Sequence, residues 1–313
     1  TTSGPIPPGS PADTAISGVG ADGSCARMPK SMFPVVECGS LGGPVKDPLR
    51  LVVALFAVLT GYLTLALFFR WPLVEELWPW PGYDAKLSPL SFVFLSSIAA
   101  AICAPLAWLA WTNSMRAAIP GAIDLIVSLG AISIFLAMEF ARDTSNIALL
   151  VWAVLLGASV VGNVLVLRAV RHRAFRDPTP MPKPVVVAFI LFAVALVLVG
   201  QALVRRVPDI IPWTLSGEAS VVYGWIFLGA ACYFVVALRE PRWENAAGQL
   251  LGFLAYDLVL IGPFIRHFST VPDHLRLNLI LYTAVVVFSG LLAIVYCFLH
   301  PRTRLFFRPA ATQ

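Results

Sequence analysis

Eight long apolar segments constrain this chain more than any other feature of its sequence. They lie near residues 49–69, 90–111, 119–140, 147–168, 185–204, 218–238, 245–266 and 277–299. Each is long enough to cross a hydrocarbon core of about 30 Å, which takes about 20 helical residues. The segments do not alternate with a period of two, so helices are favoured over the strands of a barrel. The sequence predicts an all-α integral membrane bundle of about eight transmembrane helices.

Charge is too scarce for a soluble protein of this size. Of the 313 residues, 58% are apolar and 12% are charged, whereas about 25% are charged in a typical soluble domain. The net charge of +5 does not indicate a nucleic-acid partner, because cations collect in the cytoplasmic loops of membrane proteins. The partner that the composition predicts is a lipid bilayer.

The basic residues predict how the chain is oriented. The amino-terminal tail, the loops at 112–118, 168–184 and 239–244, and the carboxyl end, together with Arg50 at the start of the first span, hold 15 of the 22 Lys and Arg residues. Cytoplasmic loops retain such charge. We therefore expect a multi-pass protein of the plasma membrane with both termini in the cytoplasm.

The two ends of the chain differ from the apolar centre. Gly, Pro, Ser, Ala and Thr dominate residues 1–45, and no apolar period is present, which is typical of a disordered tail. Residues 306–313 form a second, short tail. If the long tail is held in place, other membrane subunits that contact it are one explanation.

Matching residues recur in the same order in the two halves of the chain. The pairs are Pro48 with Pro184, Leu55–Val58 with Leu191–Val194, Arg70 with Arg206, Leu87-Ser88 with Leu215-Ser216, and Asn146 with Asn278. An ordered series of this kind indicates an internal duplication. The sequence thus predicts two four-helix units, residues 46–177 and 178–305.

An even number of spans in each unit has a geometric consequence. Both units would enter the membrane from the same side and be parallel repeats, related by an axis along the membrane normal. The loops that contain Trp78–Pro81 and Ile210–Trp213 would then lie together on the outer face.

Asp257 is the most informative polar residue of the chain. It lies near the middle of the seventh span, where a carboxylate costs several kcal/mol unless it is protonated or paired. It is either a proton- or cation-coupled transport residue, or a ligand contact, or a protonated group that hydrogen-bonds a neighbouring helix. Its repeat counterpart falls near Gly130, so the site would be asymmetric.

Three further polar residues lie within the predicted spans. Asp124 is close to the cytoplasmic end of its span and Gln201 is close to the outer end, where hydration costs little. Asn163 is deeper, and a hydrogen bond to another helix, worth about 1 kcal/mol, accounts for it. Structural roles are favoured for all three.

The outer loops supply a second candidate site. A binding vestibule would be lined by Arg70, Arg206 and Glu218, with Trp80 and Trp213 beside them. Alternatively, the Trp side chains anchor the chain at the headgroup level and the adjacent prolines fix the loops. The anchoring interpretation is favoured.

Motifs of catalysis and of cofactor binding are missing from the sequence. No CxxC, HExxH or Walker motif occurs, no GxGxxG stands before a predicted helix, and nothing resembles a nucleophile elbow. The four histidines fall in loops or at span ends, which disfavours haem ligation inside the bundle. The sequence predicts no cofactor, no metal and no catalytic residue, and it favours a non-enzymatic function.

Three features resemble a group of uncharacterised bacterial multi-pass membrane proteins. They are the Trp-Pro-Trp run at 78–80, the Leu-Ser-Pro-Leu-Ser stretch at 87–91 and the doubled four-helix layout. The resemblance covers most of residues 46–305 and implies a bacterial plasma-membrane location. It implies no activity, so no functional residue carries over.

Two functions lead the alternatives at this point, and a membrane enzyme that acts on lipid-linked substrates is a distant third. The first is a transporter-like or channel-like protein that moves a small solute or ion, with proton coupling through Asp257 as one form of it. The second is a non-catalytic accessory subunit of a larger membrane complex, which the long tail and the missing reactive motifs favour.

Overall fold

A computed structural model describes Thr1, residues 47–76 and residues 89–305 of the chain. The rest of the predicted tail at 1–45, the predicted tail at 306–313 and the loop that contains Trp80 lie outside the described residues. Within the described ranges the chain is almost wholly helical and forms no strand.

Nine helices follow one another in the described chain. In order they are α1 (Pro48–Phe68), α2 (Pro72–Glu76), α3 (Pro89–Thr112), α4 (Ala118–Arg142), α5 (Ile147–Val170), α6 (Lys183–Val204), α7 (Gly217–Arg239), α8 (Trp243–His267) and α9 (Asp273–Ile294). All except the short α2 are long and apolar enough to cross a membrane. A 3₁₀ turn at Met115–Ala117 leads into α4, and a π-helical turn at Val295–Leu299 prolongs α9.

The eight predicted spans coincide with the eight long helices to within a few residues, so the prediction of an all-α, multi-spanning membrane bundle is confirmed. The largest displacement is at α9, which begins at Asp273 and not at residue 277. Asn278, expected at the start of the last span, therefore lies inside α9, whereas Asn146 directly precedes α5.

The ends of α1 and α6 share one unusual backbone conformation. Arg70 has a φ of 51° and Arg206 a φ of 59°, in the left-handed region that side chains other than glycine rarely adopt. In both cases the next residue returns its N–H to the last turn of the helix, as in a Schellman cap. These hydrogen bonds run from Trp71 to Ala66 (2.9 Å) and from Val207 to Ala202 (3.0 Å).

The spans pack in a pattern that repeats along the chain. The neighbouring spans α1 and α3, α4 and α5, α6 and α7, and α8 and α9 pack against each other, while α3 also packs on α8 and α4 on α7. The packing of α1 on α3 thus corresponds to that of α6 on α7, and the packing of α4 on α5 to that of α8 on α9. The packing of α3 on α8 corresponds to that of α7 on α4. Many apolar side chains on α1, α5, α6 and α9 are exposed, as expected of surfaces that face lipid.

Three connections meet at one end of the bundle, which we call the basic face. Arg116, between α3 and α4, hydrogen-bonds to the carbonyl oxygen of Arg171 and to the carboxylate of Glu240, which follow α5 and α7. Arg173 forms an ion pair with Asp47 at the start of α1, with 2.6 Å between nitrogen and oxygen. The connections after α6 and α8 meet at the opposite face.

Candidate functional site

The carboxylate of Asp257 is enclosed between α8 and α9. Asp257 is only 5% exposed and lies near the middle of α8. The hydroxyl of Ser289 on α9 donates to it, with the oxygen 2.9 Å from Oδ2 and 3.1 Å from Oδ1. Gly290 makes room for this contact, because a Cβ atom there would lie 3.2 Å from Oδ2.

The Ser289 hydroxyl has more acceptors than protons. Besides the carboxylate, its oxygen lies 2.9 Å from the carbonyl oxygen of Val285 and 3.1 Å from that of Val286. A hydroxyl group has one proton to donate and lone pairs that accept. The proton can therefore point either to the carboxylate or to the backbone of α9.

No cation neutralises Asp257 among the residues that the structure describes: no Lys, Arg or His there forms an ion pair with it. A charged carboxylate without a cation is expensive within a membrane. The arrangement thus provides a carboxyl group whose charge no described cation compensates.

Two tyrosines extend the polar contact between α8 and α9. The hydroxyls of Tyr256 and Tyr282 hydrogen-bond to each other. Beside Tyr282, the Thr283 hydroxyl is buried and has no partner in the described part of the chain. The tyrosine pair therefore adds a second polar contact between α8 and α9.

Asp124 occupies a different interface. It lies in the second turn of α4 and faces α7 at Gly229, where a Cβ atom would come within 2.5 Å of its Oδ1. Counted from the first residue of each helix, the position of Asp257 in α8 corresponds to Ile132 in α4. Asp124 and Asp257 are thus neither neighbours nor equivalent positions.

The other two predicted intramembrane residues are less enclosed than Asp257, and Asn163 is half-buried in α5. The side-chain amide of Asn163 donates to the carbonyl oxygen of Ser159 in its own helix, 2.9 Å away. The expected hydrogen bond to another helix is replaced by this local one. Gln201 is exposed near the end of α6.

The candidates for an outer vestibule are spread over the opposite face. The Arg70 guanidinium lies over the Phe92 ring, 5.2 Å from its centre. Arg206 lies beside Gly217, the neighbour of Glu218, since a Cβ atom on Gly217 would be 3.5 Å from its Cδ.

Trp213 does not line an open surface. It is only 3% exposed and stacks on Tyr282, with ring centres 6.4 Å apart and planes 14° apart. Neither an exposed vestibule wall nor a headgroup anchor describes this buried ring. Trp80 lies outside the described residues.

Comparison with known proteins gives no relative. No family model matches the chain, and neither does a curated protein or a solved structure. Within the described ranges, no group of three or more His, Cys, Asp and Glu side chains is placed to hold a metal ion. The site must therefore be interpreted from its own geometry.

Sequence reasoning found Asp257 but missed its partners. Ser289 is an ordinary serine in an apolar helix, and nothing in the pattern of α9 points to residue 257. The pair of Tyr256 and Tyr282 was equally invisible, although Tyr256 adjoins Asp257. A second feature that was missed is a cavity of about 640 Å³ at the basic face. The sequence indicated there only the positive charge that cytoplasmic loops carry.

Proposed function

We propose that this protein is a transporter-like membrane protein that moves a small solute or ion, and that Asp257 is the proton-binding group in its interior. The observation that carries the proposal is the position of the Ser289 hydroxyl between the Asp257 carboxylate and the carbonyl oxygen of Val285. This position serves both protonation states of the carboxyl group.

Each protonation state of Asp257 has its own hydrogen-bond arrangement. When the carboxyl is protonated, its O–H donates to Ser289 and the Ser289 O–H donates to Val285. When the proton leaves, the Ser289 O–H turns to the carboxylate. Because a hydroxyl rotates freely about its C–O bond, the change requires no movement of a helix.

The missing countercharge explains how proton release would be coupled to transport. An ionised Asp257 without a cation is unfavourable by several kcal/mol at this depth. Release of the proton is therefore favourable only when a cation or a hydrated solute reaches the carboxylate. A site that gives up a proton in exchange for a solute is the basic requirement of proton-coupled transport.

The predicted duplication belongs to the same proposal. Two observations support it: the matched left-handed caps at Arg70 and Arg206, and the helix pairings that recur every four spans. Parallel repeats of this kind build one class of transporter, with the substrate site between the repeats. Asp257 and Ser289 both belong to the second repeat, so the proton-binding site would be asymmetric.

The membrane and its orientation are also proposals. The basic face brings together the connections that hold most of the described arginines, which supports a cytoplasmic position for it. Single cysteines placed at Ser145 and at Arg171, treated with a membrane-impermeant thiol reagent in whole cells, test this. We expect reaction at position 145 and protection at 171; the reverse pattern would refute the orientation.

Reconstitution into liposomes tests the transport proposal. The purified chain is placed in liposomes with a pH-sensitive dye inside, and the decay of an imposed pH gradient is measured with Na⁺ or K⁺ outside. We expect wild-type protein to accelerate the decay and Asp257→Asn to remove at least about 90% of that effect, since one essential group is worth at least tenfold. Asp257→Glu should retain part of it.

The matched control is Asp143→Asn, which removes an exposed carboxylate between α4 and α5 and should leave the rate unchanged. A pH gradient that decays as fast with Asp257→Asn as with wild-type protein would exclude Asp257 from the mechanism. Wild-type protein that behaves as empty liposomes do, together with a partner that co-purifies after mild extraction, would favour the accessory-subunit function.

A further inference from the structure

An open cavity of about 640 Å³ lies at the basic face, where α5 and α7 end. We call it the arginine cavity because five arginines line it, together with one carboxylate, that of Glu240. The arginines are Arg116, Arg171, Arg173, Arg239 and Arg242. They come from the connections after α3, α5 and α7, so charge from distant parts of the chain converges on one space.

The walls of the arginine cavity are fixed by backbone contacts. The connection between α5 and α6 pairs with the connection between α7 and α8 through two hydrogen bonds of 2.8 Å, from the Met181 N–H to the Pro241 carbonyl and from the Trp243 N–H to the Thr179 carbonyl. Arg242 adds a side-chain bond to the carbonyl oxygen of Pro178 at 2.8 Å. The two segments therefore form a rigid frame.

Two of the five guanidinium groups are paired with carboxylates. Arg116 contacts both carboxylate oxygens of Glu240, at 3.0 and 3.2 Å, and lies over the Phe175 ring. Arg173 is paired with Asp47. These two arginines hold the frame together and contribute little net charge to the cavity.

The remaining arginines are not paired with carboxylates. Arg171 and Arg239 are exposed, and no residue in the described part of the chain forms an ion pair or a side-chain hydrogen bond with either guanidinium. Arg242 donates to a neutral carbonyl. Three positive charges of this cavity therefore have no acidic partner there.

The carboxyl ends of two helices offset part of this positive charge but not all of it. The carboxyl ends of α5 and α7 each contribute about half a negative charge, which offsets about one of the three arginines. Topology alone places arginines on a cytoplasmic face, but it does not gather them around one cavity. An excess of about two positive charges is left.

We infer that the arginine cavity binds a phosphate-bearing anion, whose phosphate contacts Arg171, Arg239 and Arg242. A guanidinium group binds phosphate through two parallel hydrogen bonds, and the cavity volume falls in the usual range of about 300–1,000 Å³ for ligand sites. The phosphate can belong to an anionic lipid headgroup, because the cavity lies at the ends of membrane-spanning helices, or to a soluble molecule. This inference stands independently of the transport proposal.

Two measurements on the full chain in detergent separate the two sources. Native mass spectrometry compares the retention of phosphatidylglycerol with that of phosphatidylcholine of the same acyl chains. Thermal unfolding compares inorganic phosphate with chloride at equal ionic strength. The variants are Arg171→Ala, Arg239→Ala and their combination, with Arg171→Lys/Arg239→Lys to restore charge; the exposed positions keep folding intact.

The matched control is Arg168→Ala, which removes an exposed arginine from the last turn of α5 that does not line the cavity. If the ligand is a lipid, wild type retains phosphatidylglycerol selectively, and each substitution to alanine weakens the retention by roughly fivefold. If it is soluble, phosphate raises the Tm of wild type and not that of the double variant. The inference would be overturned if phosphatidylglycerol retention and the phosphate-induced rise in Tm were the same in wild type and the double variant. It would also be overturned if Arg168→Ala lost as much of either effect as the cavity variants do.

Discussion

The Ser289 hydroxyl oxygen lies 2.9 Å from Oδ2 of Asp257 and joins α9 to α8 inside the bundle. Ser289→Ala removes the hydrogen bond and leaves the carboxyl with fewer partners. We expect the free energy of unfolding to fall by about 1 kcal/mol and the Asp257-dependent proton flux to fall with it. Thermal unfolding in detergent and the liposome assay measure the two effects.

Ser159 provides the control for this prediction. Its hydroxyl donates to the carbonyl oxygen of Leu155 in the same helix, 2.9 Å away, on an exposed side of α5. Ser159→Ala thus removes a comparable local bond without touching a carboxylate and should leave the flux unchanged. Equal flux in Ser289→Ala and wild type would show that the hydroxyl has no part in proton transfer.

Gly229 permits the close approach of α7 to α4. A Cβ atom there would lie 2.5 Å from Oδ1 of Asp124 and 2.7 Å from Cβ of Ser128. Gly229→Ala should therefore lower the free energy of unfolding by about 1–3 kcal/mol through overpacking. At Gly162 no atom lies within 4 Å of an added Cβ, so Gly162→Ala should be neutral or slightly stabilising. Similar Tm values for the two variants would contradict the packing of α4 on α7.

Arg206 carries backbone strain that glycine would relieve. Its φ of 59° costs a side-chain residue about 1–2 kcal/mol, against about 0.5–1 kcal/mol for the greater chain entropy of glycine. We expect Arg206→Gly to raise the free energy of unfolding by about 0.5 kcal/mol. Arg205, with a φ of −79°, carries no such strain, and Arg205→Gly should lower stability. A loss of stability in Arg206→Gly would refute the left-handed cap.

Asp47 makes the link between α1 and the basic face dependent on pH. The hydrogen bond from Arg173 lowers the pKa of this carboxyl below its ordinary value of 3.8, burial opposes the shift, and the Leu49 N–H adds to it. A lowered pKa contributes stability above the unfolded value that is lost as the pH falls through the folded value. Asp47→Asn keeps the cap on α1, so its Tm should lie below that of wild type by a constant amount from pH 7 to 5.

The difference in Tm between wild type and Asp47→Asn should then shrink below about pH 4, where the wild-type carboxyl takes up its proton. A pair as accessible as this one contributes about 0–1 kcal/mol, so a sensitive unfolding assay is needed. A difference that grows on acidification would contradict the ion pair with Arg173.

Most of the helices could be predicted because the thickness of the membrane sets the length of the apolar segments. An apolar segment marks only the part of a helix inside the membrane, so the predicted start at residue 277 is later than the true start of α9 at Asp273. Its first turn contains Asp273, His274 and Arg276, which lie outside any apolar segment although the backbone is already helical. Hydropathy reports where a helix enters hydrocarbon and not where its hydrogen bonds begin.

The candidate site could be predicted only in part, because its other half depends on contacts between distant segments. Asp257 is recognisable from its own helix, since a carboxylate among apolar residues is rare. Ser289 gains its meaning only when α9 packs on α8. Trp213 shows the same limit: the sequence places it in an outer loop, whereas the ring stacks on Tyr282 in the interior.

Carbodiimide labelling shows directly whether Asp257 takes up and releases a proton while the protein is in a membrane. Dicyclohexylcarbodiimide enters the bilayer and reacts with protonated carboxyl groups, and peptide mass spectrometry locates the adduct. We expect an adduct on Asp257 whose yield falls as the pH of the medium is raised, and no adduct at this position in Asp257→Asn. An Asp257 that remains unlabelled at every pH would rule out its role as the proton-binding group.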